Sequence, residues 1–264
     1  MGELEQSESY AKHKQRQTQG GIVLKAVILA GGTGSRLKPL TYWTNKHLLP
    51  VGSYPMICYG VTKLRDSGVK DLVIITSRAA LGDFAKVLGS GRDWGVSIMY
   101  RVQEEAGGIA QALELARPMM SPKDKFMVLL GDNLFEESLN SYCEQYAKQE
   151  DGAMVLLKQV ADPRRYGVPK LDKDSGRIIH IEEKPENPPS NYCVTGLYFY
   201  DTEVFDLIDG VKPSRRGELE ITDVNNAFAL HGRLHYRELV GWWTDAGTFE
   251  SLEEAGRKLQ GAIS

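Results

Sequence analysis

Cysteine is scarce in this 264-residue chain, and Cys58, Cys143 and Cys193 form neither a CxxC pair nor any metal-ligand spacing. That argues against a disulfide framework or a cysteine-built metal centre and leaves three reduced thiols in apolar or mixed segments. Histidine is equally thin: His13, His47, His180, His231 and His235 are scattered without ligand spacing, and no Ser/His/Asp nucleophile set is visible. Long hydrophobic runs are missing, since purely apolar stretches such as Ala26–Ala30 and Phe126–Leu130 have five residues each. A membrane-spanning helix needs roughly 18. The polar start carries no apolar segment of a secretory signal. No charge of one sign prevails: 32 Lys+Arg face 35 Asp+Glu, a formal net charge of −3. That balance speaks against nucleic acid or an anionic membrane as the main partner. The expected setting is the cytoplasm.

Residues 1–22 have little aliphatic content and end in Gly20-Gly21, the composition of a flexible extension that cannot bury enough to order itself. From there to residue 264 one domain is expected. Lys25–Ala30 is a short apolar run ending in Gly31-Gly32, the pattern of a strand buried on both faces. Similar runs recur at Leu72–Thr76, Ile98–Val102, Phe126–Leu130, Met154–Val160, Ile178–Ile181 and Tyr192–Tyr200. Helical patterns lie between several of them, at Pro55–Ser67, Ile109–Ala116 and Glu137–Glu150, and a last helix covers Thr248 to Leu259. Alternation of strand and helix over the first 150 residues predicts βαβ units in an α/β fold with a mostly parallel sheet. Beyond that point the strands are joined by turn-rich segments, Asp172–Gly176 and Pro185–Pro189, as in antiparallel hairpins.

The most informative segment follows the first strand: Leu29-Ala30-Gly31-Gly32-Thr33-Gly34-Ser35-Arg36. Three glycines let the backbone turn tightly and bring its N–H groups to a ligand. Arg36 and the later Lys46 add two cations, and together these suit a polyphosphate. No GxxxxGK[ST] is present, and Leu37 stands where a dinucleotide fingerprint wants its third glycine. Other candidates have bland alternatives when taken singly. Asp132 ends an apolar strand and could cap the next helix. Gln103 is a polar strand end. Glu183-Lys184 before Pro185 could be a solvated charge cluster. Trp242 and Trp243 suit a core or a pocket wall.

The run LAGGTGSRLKPLT…NKHLLPVGSYPMI resembles the sugar-1-phosphate nucleotidyltransferases, most closely the glucose-1-phosphate thymidylyltransferases. The resemblance continues in order through RVQEEAGGIAQAL, VLLGDNLF, DPRRYGVPKL, IEEKP, NYCVTGLYFYD, PSRRGELEITDVN and WWTDAGT, and covers residues 24–252. It implies a Rossmann-like, mixed and mostly parallel sheet with helices on both faces and a smaller β-rich sugar-binding part. A nucleotide-binding half would span about 23–150 and a sugar-binding half about 151–264. It implies dTTP and glucose 1-phosphate as substrates, dTDP-glucose and pyrophosphate as products, Mg2+ as cofactor, and a homo-oligomer, dimer or tetramer. By the same resemblance Asp132 and Asp245 hold the metal, and Arg36, Lys46 and Lys184 carry the catalysis. Leu29 to Ser35, Gln103, Gly108 and Asp132 bind the nucleotide, with the Gln103 amide offering a donor and an acceptor together to the N3–H and O4 of thymine or uracil. Asn133, Gly167, Glu183, Lys184 and Val194 line the sugar pocket. Relatives with a longer C-terminal helical section use it for an effector pocket; this chain stops 19 residues after Asp245, so the resemblance implies feedback control and tetramer contacts less securely than it implies catalysis. A uridylyltransferase, a non-catalytic nucleotide-sugar sensor on the same fold and, from the glycine loop alone, an NAD(P) oxidoreductase are the alternatives.

Overall fold

A computed structural model describes residues 24–260. The N-terminal extension expected at 1–22 lies outside the described residues. A seven-stranded sheet organises the rest. Its first strand, β1 (Lys25–Ala30), is followed by the short β2 (Pro50–Val51) and β3 (Tyr54–Pro55) and by helix α1 (Met56–Asp66). Then come β4 (Asp71–Ser77), α2 (Leu81–Leu88), β5 (Ser97–Gln103), α3 (Ile109–Glu114), β6 (Lys125–Leu130), β7 (Asn133–Phe135) and α4 (Asn140–Lys148). The second part adds β8 (Ala153–Gln159), β9 (Gly167–Leu171), β10 (Ile178–Glu183), β11 (Tyr192–Asp201), α5 (Glu203–Asp209) and α6 (Ile221–Leu230). It closes with β12 (Leu234–Glu238), β13 (Trp243–Asp245) and α7 (Phe249–Lys258).

The strand order is β12-β8-β11-β6-β1-β4-β5. β6, β1, β4 and β5 run parallel, β11 is antiparallel to both β6 and β8, and β12 is parallel to β8. The mixed, mostly parallel sheet expected from the sequence is therefore present, with helices on both faces. β1 shows why its sequence is continuously apolar. Successive side chains point to opposite faces, so Ala26 and Ile28 join one core with α1, α2 and α4. Val27 and Leu29 join the other core, beneath α3, α5 and α6. A smaller cluster sets α7 against β2 through Val51, Met56, Tyr59, Leu134, Ala246, Ala255 and Leu259.

Two expectations need correction. The helix read over Glu137–Glu150 starts only at Asn140, because Glu137 instead accepts hydrogen bonds from Tyr142 Oη and Val240 N–H. The turn Asp172–Gly176 does make a hairpin of β9 and β10, but Pro185–Pro189 does not. It carries the chain from that small hairpin into the main sheet, where β11 pairs with β6 and β8. Several elements went unread: α2, α5 and α6, whose apolar positions sit among charges, and the short strands β7, β12 and β13. No helix among the described residues is long and apolar enough to cross a membrane.

Thr248 caps α7 through a reciprocal pair with Ser251, whereas Ile28 is fully buried at the centre of the sheet. In urea unfolding, Thr248→Ala should lose about 1 kcal/mol and Ile28→Ala about 2–5 kcal/mol. Equal losses would contradict the placement of the core.

Candidate functional site

Between β1 and β6 the winding of the sheet reverses: β1 is followed outward by β4 and β5, and the chain then returns to β6 on its other side. Open α/β sheets bind ligands at the carboxyl edge of such a switch point. Both strands end there, tied by the Gly131 N–H donating to Leu29 O at 2.9 Å. The glycine loop leaves β1, and Gly131-Asp132 leaves β6, on the same rim.

The loop leaves backbone donors facing outward, a geometry that suits an anion. The N–H groups of Gly32, Thr33 and Gly34 donate to no group among the described residues. Gly34 takes φ 65°, and a Cβ there would lie 2.8 Å from both Thr41 Cγ2 and Lys46 Cβ. Its carbonyl accepts from Thr41 Oγ1 at 2.8 Å. Beneath the loop lies His47, buried, with Nδ1 2.7 Å from Asn45 Oδ1. Burial, with the Lys46 ammonium beside it, pushes its imidazole down to about 3. It is therefore neutral near pH 7 and acts as packing under the loop rather than as a proton carrier.

Lys46 Nζ pairs with Asp132 Oδ2, each side chain 14 % exposed. Burial alone would raise the Asp132 carboxyl, but the Lys46 ammonium, His47 and the amide of Asn133 outweigh it and hold the group well below the usual carboxylate range. Asp245 reaches the same place by another route. In the antiparallel pair β7–β13 it lies opposite Asn133, the neighbour of Asp132, and Ala246 N–H donates to Asp132 O at 2.8 Å. Asp245 accepts from Arg165 Nη2 at 3.0 Å and Tyr166 Oη at 2.9 Å. Its carboxyl is nevertheless raised, chiefly by burial, with the Asp132 charge adding to it. Arg36 approaches from the loop: a Cβ on Gly247 would sit 2.9 Å from its Nη2 and 3.6 Å from Asp245 Oδ2.

Two open cavities meet here. One, of about 320 Å³, is lined by Leu29, Gly31, Gly32, Thr33, Lys46, Gln103 and Gly108. The other, of about 640 Å³, is lined by Ser35, Arg36, Asn133, Gly167, Val194 and Asp245. Asp132, Glu183, Lys184 and Arg216 line both. Of the residues that the resemblance assigns to binding or catalysis, Ala30 and Gly34 stay off the walls of these two cavities; Ala30 is fully buried, its carbonyl accepting from Asn45 Nδ2 at 3.2 Å. Lys184 holds a left-handed backbone, φ 48°, a strained state for a non-glycine residue. Its N–H donates to Tyr166 O at 2.9 Å, and its Nζ lies 3.2 Å from Glu183 Oε1.

Two amides in the cavity walls are already partly engaged by the protein itself. Asn133 lines the larger cavity, and its Nδ2 donates one of its two protons to Asp132 Oδ1 at 3.0 Å. Its Oδ1 accepts from Gly196 N–H and from Trp243 Nε1, each at 2.8 Å. Gln103 does not offer a free donor and acceptor together, because Nε2 already donates to Gln111 Oε1 at 2.7 Å.

Arg165, Tyr166, His47, Gln111 and Arg216 were not singled out. Arg165 and Tyr166 stood in view beside Gly167, but only folding brings them to Asp245. Arg216 read as one charge in a surface run; it binds Glu220 at 2.9 Å and reaches Glu183 at 3.4 Å. Gln111 had a signal: it is a polar residue set among Ile109, Ala110, Ala112 and Leu113. No cysteine can serve as a nucleophile, since all three are buried and burial pushes Cys58 and Cys193 up to about 12 and Cys143 to about 11. Two carboxylates beside a phosphate cradle suit Mg2+, which takes few protein ligands and completes its shell with phosphate and water. Among the described residues no cluster of three metal-ligating side chains exists.

Comparison with known proteins places this geometry in a family. A glucose-1-phosphate thymidylyltransferase of Xanthomonas campestris pv. campestris (strain B100) is 44 % identical over 239 residues, covering 89 % of this chain and 80 % of that protein. A solved Bacillus anthracis structure, described as a glucose-1-phosphate thymidylyltransferase in complex with sucrose, is 51 % identical with a TM-score of 0.86. It covers 92 % of this chain and 97 % of that one. UDP-glucose pyrophosphorylase complexed with UDP-glucose has a TM-score of 0.81 at 26 % identity, covering 92 % of this chain and 100 % of the other. The nucleotidyl transferase family model matches residues 25–261, both cavities included, so the chain belongs to that family and is a nucleotidyltransferase.

Proposed function

We propose that the protein transfers a thymidylyl group from dTTP to glucose 1-phosphate, forming dTDP-glucose and releasing pyrophosphate. The observation that carries this is the pair of cavities joined at Asp132, Glu183, Lys184 and Arg216. Such a site fits two polyanions meeting end to end, one against the glycine loop and Gln103, the other against Gly167, Glu183 and Val194. The part up to about residue 150 serves the nucleotide and the remainder the sugar. The thymidylyl choice draws on the relatives at 44 % and 51 % identity that carry that name, against 26 % for the uridylyl relative.

The chemistry needs little from side chains that exchange protons. A sugar phosphate's second pKa is about 6, so its attacking oxygen is already anionic near pH 7. The absence of a usable thiol or titrating histidine among the described site residues is therefore no obstacle. The difficulty is repulsion, and positioned positive groups answer it. In this reading the unpaired N–H groups of Gly32 to Gly34 cradle the triphosphate. Arg36 and Lys46 stabilise the departing pyrophosphate, and Lys184, with Arg216 beside it, neutralises the sugar phosphate. Glu183, held by Thr222 Oγ1 at 2.6 Å, accepts sugar hydroxyls. Asp132 and Asp245 would hold Mg2+; when bound, it supplies charge neutralisation at the α-phosphate. Arg165 and Lys46 keep those two carboxylates compensated. The transfer is a direct in-line displacement with no enzyme-bound intermediate.

Pyrophosphate release with glucose 1-phosphate should be fastest with dTTP, slower with UTP and weakest with CTP and GTP, and EDTA should abolish it until Mg2+ is restored. Preference for UTP would make the enzyme a uridylyltransferase with the same mechanism. A folded protein releasing pyrophosphate with none of them would be a sensor. Arg36→Ala should lower kcat by about a hundredfold at unchanged thermal stability; near-normal kcat would remove Arg36 from the proposed machinery.

A further inference from the structure

Gln103 and Gln111 form a pair whose polarity is set by backbone groups at its far end. The Gly107 N–H donates to Gln111 Oε1 at 3.2 Å, which makes that oxygen the inward atom of the Gln111 carboxamide. The same oxygen accepts from Gln103 Nε2 at 2.7 Å. Gln103 Nε2 also points at the Gly108 carbonyl oxygen, 3.5 Å away. A side-chain amide nitrogen has two protons, and both of these face acceptors inside the protein. Gln103 Oε1 is thereby turned toward Gly31, where a Cβ would lie only 2.3 Å from it. That oxygen accepts no hydrogen bond among the described residues, and the residue lines the smaller cavity.

Reversing the Gln103 carboxamide would set its oxygen against Gln111 Oε1 and Gly108 O, two acceptor–acceptor contacts in a part-buried place. Reversing Gln111 as well would leave the Gly107 N–H facing an amide NH2, a donor against a donor. A backbone N–H and a backbone carbonyl cannot exchange roles, so the direction of the pair is fixed before any ligand arrives.

We propose that Gln111 is a positioning residue for base selection: by engaging Gln103 Nε2 it presents the cavity with an acceptor alone. The site then takes a pyrimidine that carries N–H at ring position 3 and rejects one with a lone pair there. Thymine and uracil satisfy it equally, and cytosine does not. The inference rests on the smaller cavity being the nucleotide site and adds which residue decides between bases. Gln103 touches the base; Gln111 acts only through Gln103.

The test is equilibrium binding of dTTP and dCTP, with Mg2+, to the intact chain and to two variants. Gln111→Met keeps the size and removes the acceptor, freeing Gln103 to turn. It should shrink the preference for dTTP over dCTP by about tenfold, the worth of one or two hydrogen bonds. Gln111→Glu keeps an oxygen for both the Gly107 N–H and Gln103 Nε2 and should retain the preference. In turnover, the Met variant should show its loss in KM for dTTP with kcat little changed. An unaltered preference in Gln111→Met overturns the proposal, and so does an equal loss in both variants, which would mean a packing role. Should Gln111→Met melt below the assay temperature, Gln111→Ala carries the same expectations. Selective dTTP binding without pyrophosphate release would overturn the proposed reaction and leave the role of Gln111 standing.

Discussion

The site depends on one buried amide. Asn133 donates to Asp132 and accepts from the Gly196 N–H of β11 and from the Trp243 indole of β13. Those three bonds pin the end of β6, the wall of the larger cavity and the strand bearing Asp245 to a single point. A buried amide bonded on both its nitrogen and its oxygen is held in one orientation, whereas one left without those partners costs about 1–3 kcal/mol. The carboxylates at 132 and 245 come together because β7 and β13 pair across Asn133, not because they are near in sequence.

Around this node every acid meets a base: Asp132 with Lys46, Asp245 with Arg165, Glu183 with Lys184, and Glu220 with Arg216. Such compensation allows carboxylates to sit where burial would otherwise protonate them, as the opposing influences on Asp132 make plain. It also means that phosphates arriving in the cavities enter a field that is already partly neutral. In the proposed reaction, specificity rests on direction rather than on net charge: loop N–H groups without a partner among the described residues, a guanidinium from the rim, and an amide turned one way by its neighbour. Lys184 is held at this junction by a left-handed backbone and by its N–H bond to Tyr166 O.

Much of this was legible before folding. The apolar run at β1 and the glycines after it announce a buried strand opening onto a ligand loop. Arg36, Lys46, Asp132 and Asp245 were chosen by residue type, by their neighbours and by resemblance, and they do meet at one rim. What sequence could not supply was company. Gln103 is an ordinary strand-end amide until α3 delivers Gln111 to its nitrogen. Nothing in the sequence around Asn133 shows that Trp243 and Gly196 engage its oxygen. Arg165 and Tyr166 carry no sign of Asp245 in their spacing. Helices α5 and α6 were missed because their apolar stripes are short and interrupted by Asp206, Asp209, Asp223, Asn225 and Asn226. Their burial comes from β9–β10 and the main sheet rather than from propensity.

In the proposed reaction Asp132 and Asp245 form one divalent-cation site with the nucleotide. The most direct test of that site is Mn2+ binding, followed by its paramagnetic signal, in the presence of dTTP for the native chain, Asp132→Asn, Asp245→Asn and the double variant. Because both carboxylates would act on the same ion, each single change should weaken binding by about tenfold or more, and the double variant should lose much less than the two losses multiplied together. Native affinity in either single variant, or losses in the double variant that simply multiply, would contradict a shared site.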